Sequence, residues 1–339
     1  MNKPLRLQDQ LKIAAEAYFQ SPVRKITSPG GSGRASQRLH FDDTTVIGSL
    51  RPNFRRTHLE AYILQRLDPF CDDIPVCFGV VENIMFQSDV GDRRLNREIV
   101  DYDSGDQVAI AEEAVAAIFR IQAAARKTEL ADTLPHLGSN TDWIKEFVQG
   151  PQMFQDFLEQ GVPDSYPVQE IAALLDCPAT QFVKWDCRSG NAALDDDDRL
   201  RWFDFEYAGM RHGAEDFAWL IGDETWPLDG ETMLDIVEDG FDPACGHSRA
   251  DYLDYLHVYT VLHCIQRLRL IARDAPKRGW LEQERIRQKD DLGLHPAFAA
   301  HLCGVAAYFA DRNPLTYMLA PLLETAEAAF RNILETGQA

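Results

Sequence analysis

The chain lacks the marks of several protein classes. Its cysteines (Cys71, Cys77, Cys177, Cys187, Cys245, Cys264 and Cys303) are odd in number and form no Cys-x-x-Cys pair. That pattern argues against a disulfide framework and for reduced thiols in a cytoplasmic compartment. No two histidines fall at a zinc spacing, no Gly-x-Ser-x-Gly elbow occurs, and no Gly-Lys-Ser/Thr follows a glycine-rich stretch. Zinc hydrolases, serine hydrolases and P-loop nucleotide enzymes are therefore not expected. No run of about twenty apolar residues is present, so no membrane span is expected. The first residues are amphipathic (Leu7, Leu11, Ile13, Ala14, Tyr18) without a signal-peptide pattern. No internal repeat or low-complexity linker appears. Basic residues are the minority, 34 Lys and Arg against 54 Asp and Glu, for a formal net charge of −20. A chain so acidic is a poor partner for nucleic acid or an anionic membrane surface. The excess suits a cationic substrate, but it reads first as an acidic, soluble surface. Nothing in the sequence sets the oligomeric state.

What is present is ample for a sizeable core: 339 residues, 45% of them hydrophobic. The length suggests about two domain-sized units. A helix is expected over 5–20, strands near 23–27, 36–41 and 44–50, a helix near 56–67, and strands near 75–81 and 83–88. After that the pattern turns helical, with an Ala-rich helix over 106–126 and further helices over 141–160 and 167–176, with breaks at Pro151 and Pro163. Beyond residue 213 helices are expected at 214–222, 229–239, 249–274, 279–289, 295–310 and 314–335, with joints at Pro227, Pro243, Pro276 and Pro314.

The most informative stretch interrupts this helical half. Lys184-Trp185-Asp186-Cys187-Arg188-Ser189-Gly190-Asn191 places an Asn five residues after an Asp, and Trp202-Phe203-Asp204-Phe205-Glu206 follows. Between them, 191–194 and 199–203 read as two strands around the polar turn 195–198. Such a hairpin brings its open ends together, so Asn191 and Asp204 converge beside Asp186. This is the layout of a kinase catalytic loop with its metal-binding Asp. Asp186 is the candidate catalytic base for a substrate hydroxyl, and Asn191 and Asp204 are the candidate metal ligands. Magnesium favours a few such oxygens plus substrate phosphates.

These residues resemble the aminoglycoside phosphotransferase and choline kinase-like families, whose loop usually reads His-Gly-Asp-x-x-x-x-Asn and whose metal Asp sits in Ile-Asp-Trp/Phe-Glu. Gly213-Ala214-Glu215-Asp216-Phe217-Ala218-Trp219-Leu220 looks like the Gly-Asp-Pro-x-x-Asp-Leu-Ala that follows in them. The resemblance covers most of the chain and implies an α+β, bilobal protein-kinase-like fold. A β-rich N-lobe would occupy 1–89 and a larger, mainly helical C-lobe 90–339. It implies ATP and Mg2+ as cofactors and a small-molecule hydroxyl acceptor, such as an aminoglycoside, amino sugar or choline-like alcohol. It also implies that Gly30, Gly31, Ser32 and Gly33 form the loop over the phosphates. Glu60 would be the helical partner of a strand Lys, and Gln87 and Asp89 would belong to the hinge that meets the adenine. Asp216 would buttress the catalytic loop.

Two departures matter. No Lys stands where the family's strand Lys grips the phosphates; Gly48 and Ser49 fall near that position. Arg51, or else Arg38 or Arg34, is expected to supply the charge and to pair with Glu60. Lys184 replaces the loop His, a scaffold residue in kinases. Arg188 is placed to neutralise the moving phosphoryl group. The missing Lys leaves an alternative: a catalytically weak, nucleotide- or ligand-binding pseudokinase. The acceptor is not legible.

Overall fold

The computed structural model describes residues 6–29, 31, 34–177, 180–195 and 197–337. Gly30, Ser32 and Gly33 of the expected phosphate loop lie outside the described residues, as does Asp196 of the polar turn.

The chain opens with helix α1 (Leu7–Phe19) and strands β1 (Lys25–Thr27), β2 (Ser36–His40) and β3 (Thr45–Leu50). Helix α2 (Phe54–Leu67) and strands β4 (Cys77–Val81) and β5 (Ile84–Ser88) follow. The five strands form one antiparallel sheet in the order β1-β2-β3-β5-β4. Alternation along β3 sends Val46 into a small core with Leu11, Ala15, Leu39 and Phe86, beneath α1. Gly48 lies on that same face, and a Cβ there would meet Leu39 at 3.1 Å and Leu11 and Phe86 at 3.3 Å. A Lys at 48 would therefore point into packed side chains. Ile47, Ser49 and Arg51 share the opposite face and line the cleft.

Short strand β6 (Arg93–Arg94) leads into helices α3 (Leu95–Glu98), α4 (Ser104–Ala125), α5 (Leu130–Thr133), α6 (Thr141–Val148), α7 (Met153–Leu158) and α8 (Val168–Leu175). Strand β7 (Gln181–Val183) precedes the loop at 184–191. The expected hairpin is β8 (Ala192–Leu194) paired with β9 (Leu200–Trp202), Ala192 opposite Trp202. Strand β10 (Gly209–Arg211) returns antiparallel to β7. Helices α9 (Ala214–Ile221), α10 (Gly230–Asp239), α11 (Arg249–Arg278), α12 (Gln283–Lys289), α13 (Pro296–Ala310) and α14 (Ala320–Thr336) complete the chain. A single large core joins these helices to the inner face of α2 through Ala61, Ile63 and Leu64.

One sequence expectation changes. Helix α11 does not stop before Pro276 but continues to Arg278 and ends on Gly279 at φ 72°. A proline this near the end removes one amide donor and is tolerated there. The segment over 141–160 breaks at Pro151 as expected, into α6, a 3₁₀ turn at Gly150–Gln152 and α7, because Pro151 cannot continue the ladder. Strands β6, β7 and β10 span only two or three residues, too few for alternation to announce them.

Candidate active site

The loop between β7 and β8 is held from below. Asp216, at the start of α9, accepts the backbone N–H of Lys184 at 3.1 Å and of Trp185 at 2.8 Å, and the Gln122 amide at 3.1 Å. Burial pushes its carboxyl up, against these bonds. Lys184 is buried and donates to the carbonyl of Asp186 at 3.1 Å, with its ammonium near the rings of Trp202 and Phe205. It braces the loop from inside, so its contacts are structural.

Trp185 and Asp186 both take left-handed backbone, φ 52° and 48°, as do Asp204 at 67° and Asp290 at 48°. Each such non-glycine conformation costs about 1–2 kcal/mol. Asp204 and Asp290 line the cavity and Trp185 and Asp186 belong to the loop that carries Asn191, so the strain gathers around one site.

Asp186 is bonded on both oxygens: Arg188 Nε donates to Oδ1 at 2.8 Å and Asn191 Nδ2 to Oδ2 at 2.9 Å. Burial raises its pKa, but Arg188 and Lys184 outweigh burial and hold the carboxyl below its usual range. It is a carboxylate at neutral pH, positioned to orient and accept from a hydroxyl. The Asn191 nitrogen is engaged with Asp186, which leaves its amide oxygen for the cleft. Phe203 N–H donates to the Asn191 carbonyl at 3.0 Å, closing the hairpin's open end. Asn191 and Asp204 thus line one cavity of about 250 Å³.

Arg51 lines the same cavity and meets three carboxylates. Its Nη2 stands 2.6 Å from Glu60 and 2.8 Å from Asp204, and its Nη1 stands 3.0 Å from Glu206. Burial opposes its charge, but the three acids raise its pKa. Glu60, only 1% exposed, also accepts Phe205 N–H at 2.9 Å. Burial raises Glu60 and Arg51 counters it. The other two candidate arginines are engaged elsewhere. Arg38 forks onto Asp89 and Asp92 of the hinge, and Arg34 donates to the carbonyls of Lys289 and Asp290.

The remaining predicted residues are placed as follows. Gln87 and Asp89 line the cavity. Gln87 Oε1 is buried without a partner among the described residues, whereas Asp89 is bound to Arg38. Gly31 has φ 91° and donates to Ser28 O at 3.0 Å. Arg188 is bracketed, with Asp186 on one side and Asp290 at 3.2 Å on the other. Sequence reasoning gave no role to Glu206, Arg94 or Asp290, which also line the cavity. Glu206 carried a signal, since it closes the Asp-Phe-Glu run. Asp290 carried none, lying about a hundred residues from the loop it touches.

No family model matches the chain, and no curated protein matches it. Solved structures do match. A single-site mutant of aminoglycoside 2'-phosphotransferase-IIIa with GDP superposes at TM-score 0.55 and 13% identity, covering 84% of this chain and 97% of that one. The streptomycin–ATP ternary complex of APH(2")-IIa gives 0.53 and 14%, covering 82% and 96%. Spectinomycin phosphotransferase APH(9)-Ia, with ADP and spectinomycin, gives 0.52 and 12%, covering 85% and 94%. At such identities the likeness is one of fold, and the fold is the bilobal protein-kinase-like one that the sequence resemblance implied.

Proposed function

We propose that this protein is a phosphotransferase that moves the terminal phosphoryl group of ATP to a hydroxyl of a small molecule, with magnesium. The observation that carries the reading is that Asn191 and Asp204 line one cleft with the Arg51–Glu60 pair, while Asn191 is hydrogen-bonded to Asp186 behind it. Residues 1–89 are read as the nucleotide lobe and 90–339 as the lobe of the catalytic loop and acceptor pocket. The solved structures of similar fold support the class, since they are complexes with ATP and streptomycin and with ADP and spectinomycin.

Asp186 orients the acceptor hydroxyl and takes its proton as the oxygen attacks. Arg188 stabilises charge on the group in transit, while Asp186 and Asp290 fix its guanidinium. Magnesium suits the donors present: the Asn191 amide oxygen and the Asp204 oxygen not engaged by Arg51 are hard oxygen ligands. When bound, it would neutralise charge on the phosphates. Among the described residues no group of three or more His, Cys, Asp or Glu is arranged for a metal, which agrees with a site completed by phosphate oxygens. Gln87 and the hinge backbone would meet the base, and Gly31 with its neighbours would cover the phosphates. Rate enhancement comes from position and electrostatics.

Arg51 on Asp204 favours a second reading, a ligand-binding pseudokinase, because the guanidinium already neutralises the proposed metal carboxylate. Thermal-shift titration with ATP, with and without magnesium, separates the two. The kinase reading expects stabilisation by ATP that grows with magnesium. No shift at millimolar ATP contradicts it.

A further inference from the structure

The guanidiniums that line the cleft differ in what holds them. Arg51 contacts Glu60, Asp204 and Glu206, and only Arg56 adds a second cation, at 3.7 Å from Glu206, so acids outnumber bases in the cluster and it does not by itself attract a polyphosphate. Arg38 is matched by Asp89 and Asp92. Arg94 is different. It follows the hinge on β6, lines the same cavity, and has no carboxylate within salt-bridge distance among the described residues. Among the described residues the one hydrogen bond of its guanidinium is a 3.2 Å contact from Nη1 to the carbonyl of Gly190, the residue before Asn191. Its guanidinium lies 5.4 Å from the centroid of the Phe203 ring, the residue before Asp204. Burial pulls its pKa below the ordinary arginine value, against the more distant pull of Asp290 and Asp204. A half-buried cation without a counter-ion carries a desolvation cost, and an anion arriving there removes it.

We propose that Arg94 is the anion-binding cation of the cleft, taking the polyphosphate of the nucleotide beside Asn191 and Asp204, in the role the sequence alone offers to Arg51. The weak bond to Gly190 releases readily, and the Phe203 ring holds the side chain within the cleft. Arg51 then serves to keep Glu60 and Asp204 in place. This assignment rests on the nucleotide reading of the site, but it makes a separate claim about which residue meets the phosphates.

Calorimetric titration of the full chain with ATP, inorganic tripolyphosphate and adenosine tests it, comparing wild type with Arg94→Gln and Arg94→Lys. Loss of a charge-assisted bond predicts that Arg94→Gln weakens ATP and tripolyphosphate by about ten- to a hundred-fold. Adenosine should bind as before, and Arg94→Lys should recover most of the affinity. The intact adenosine response shows that the variant is folded. Wild-type affinity for both phosphate probes in Arg94→Gln overturns the inference and leaves the nucleotide reading standing. Arg94-dependent binding of tripolyphosphate, with ATP bound no better, keeps Arg94 as the anion-binding cation but overturns its assignment to a nucleotide, and the nucleotide reading with it. A wild type that binds neither phosphate probe overturns both.

Discussion

Arg51 Nη2 stands 2.8 Å from Asp204 Oδ1, so an arginine from the N-lobe rests on the carboxylate proposed to hold magnesium. The same nitrogen reaches Glu60 at 2.6 Å, and together these contacts tie the sheet, α2 and the segment after β9.

Arg51→Ala leaves Glu60 buried with no cation. Removing one partner of such a pair costs about 3–5 kcal/mol, and urea unfolding should show a loss of that order. Arg51→Lys should lose less, since one point charge keeps part of the contact but not the fork. Adding Glu60→Gln to Arg51→Ala should recover part of the loss. An Arg51→Ala protein as stable as wild type would remove the pair from the account of the fold.

Asp204→Asn keeps the shape and deletes the charge. The increment of ATP-dependent thermal stabilisation that magnesium adds should disappear, while the metal-free response survives. An undiminished magnesium increment would put the metal elsewhere.

His263 on α11 is buried against Trp219 at 4.4 Å, with no partner for Nε2. Burial lowers its pKa to about 3, helped by Arg267. The unfolded chain titrates near 6.5, so the unfolded state binds the extra proton between those values. The stability His263 contributes is complete above about pH 6.5 and is lost as pH falls toward about 3. The loss is at most about 1.4 kcal/mol per pH unit. His263→Phe removes the titration and keeps a ring, so urea midpoints measured from pH 7 to pH 5 should fall less steeply than in wild type. Equal slopes would show that His263 does not carry the dependence.

Legibility followed locality. The hairpin of β8 and β9, with Asn191 and Asp204 at its open end, lies within twenty residues, so alternation and one polar turn were enough to place it. The Asp216 buttress was legible because its spacing from the loop repeats a family pattern. Arg51 was nominated by elimination, and strand phase explains why: residues 47, 49 and 51 share the cleft face, while Gly48 faces α1. Asp290 was not legible, because it comes from a turn after α12 that only the packing of the C-lobe helices delivers to Arg188. Arg94 had no role in the sequence reading, since an unmatched charge is a property of the folded neighbourhood and not of the sequence.

The central claim is that Asp186 works on an acceptor hydroxyl. The direct measurement is transfer of labelled phosphate from ATP to a panel of small hydroxyl compounds, wild type against Asp186→Ala. The account predicts transfer to at least one acceptor, lowered in the variant by about two to four orders of magnitude, the range for a positioned base. Nucleotide affinity should be unchanged, because Asp186 meets the acceptor. Equal turnover on that acceptor by wild type and Asp186→Ala would contradict the claim.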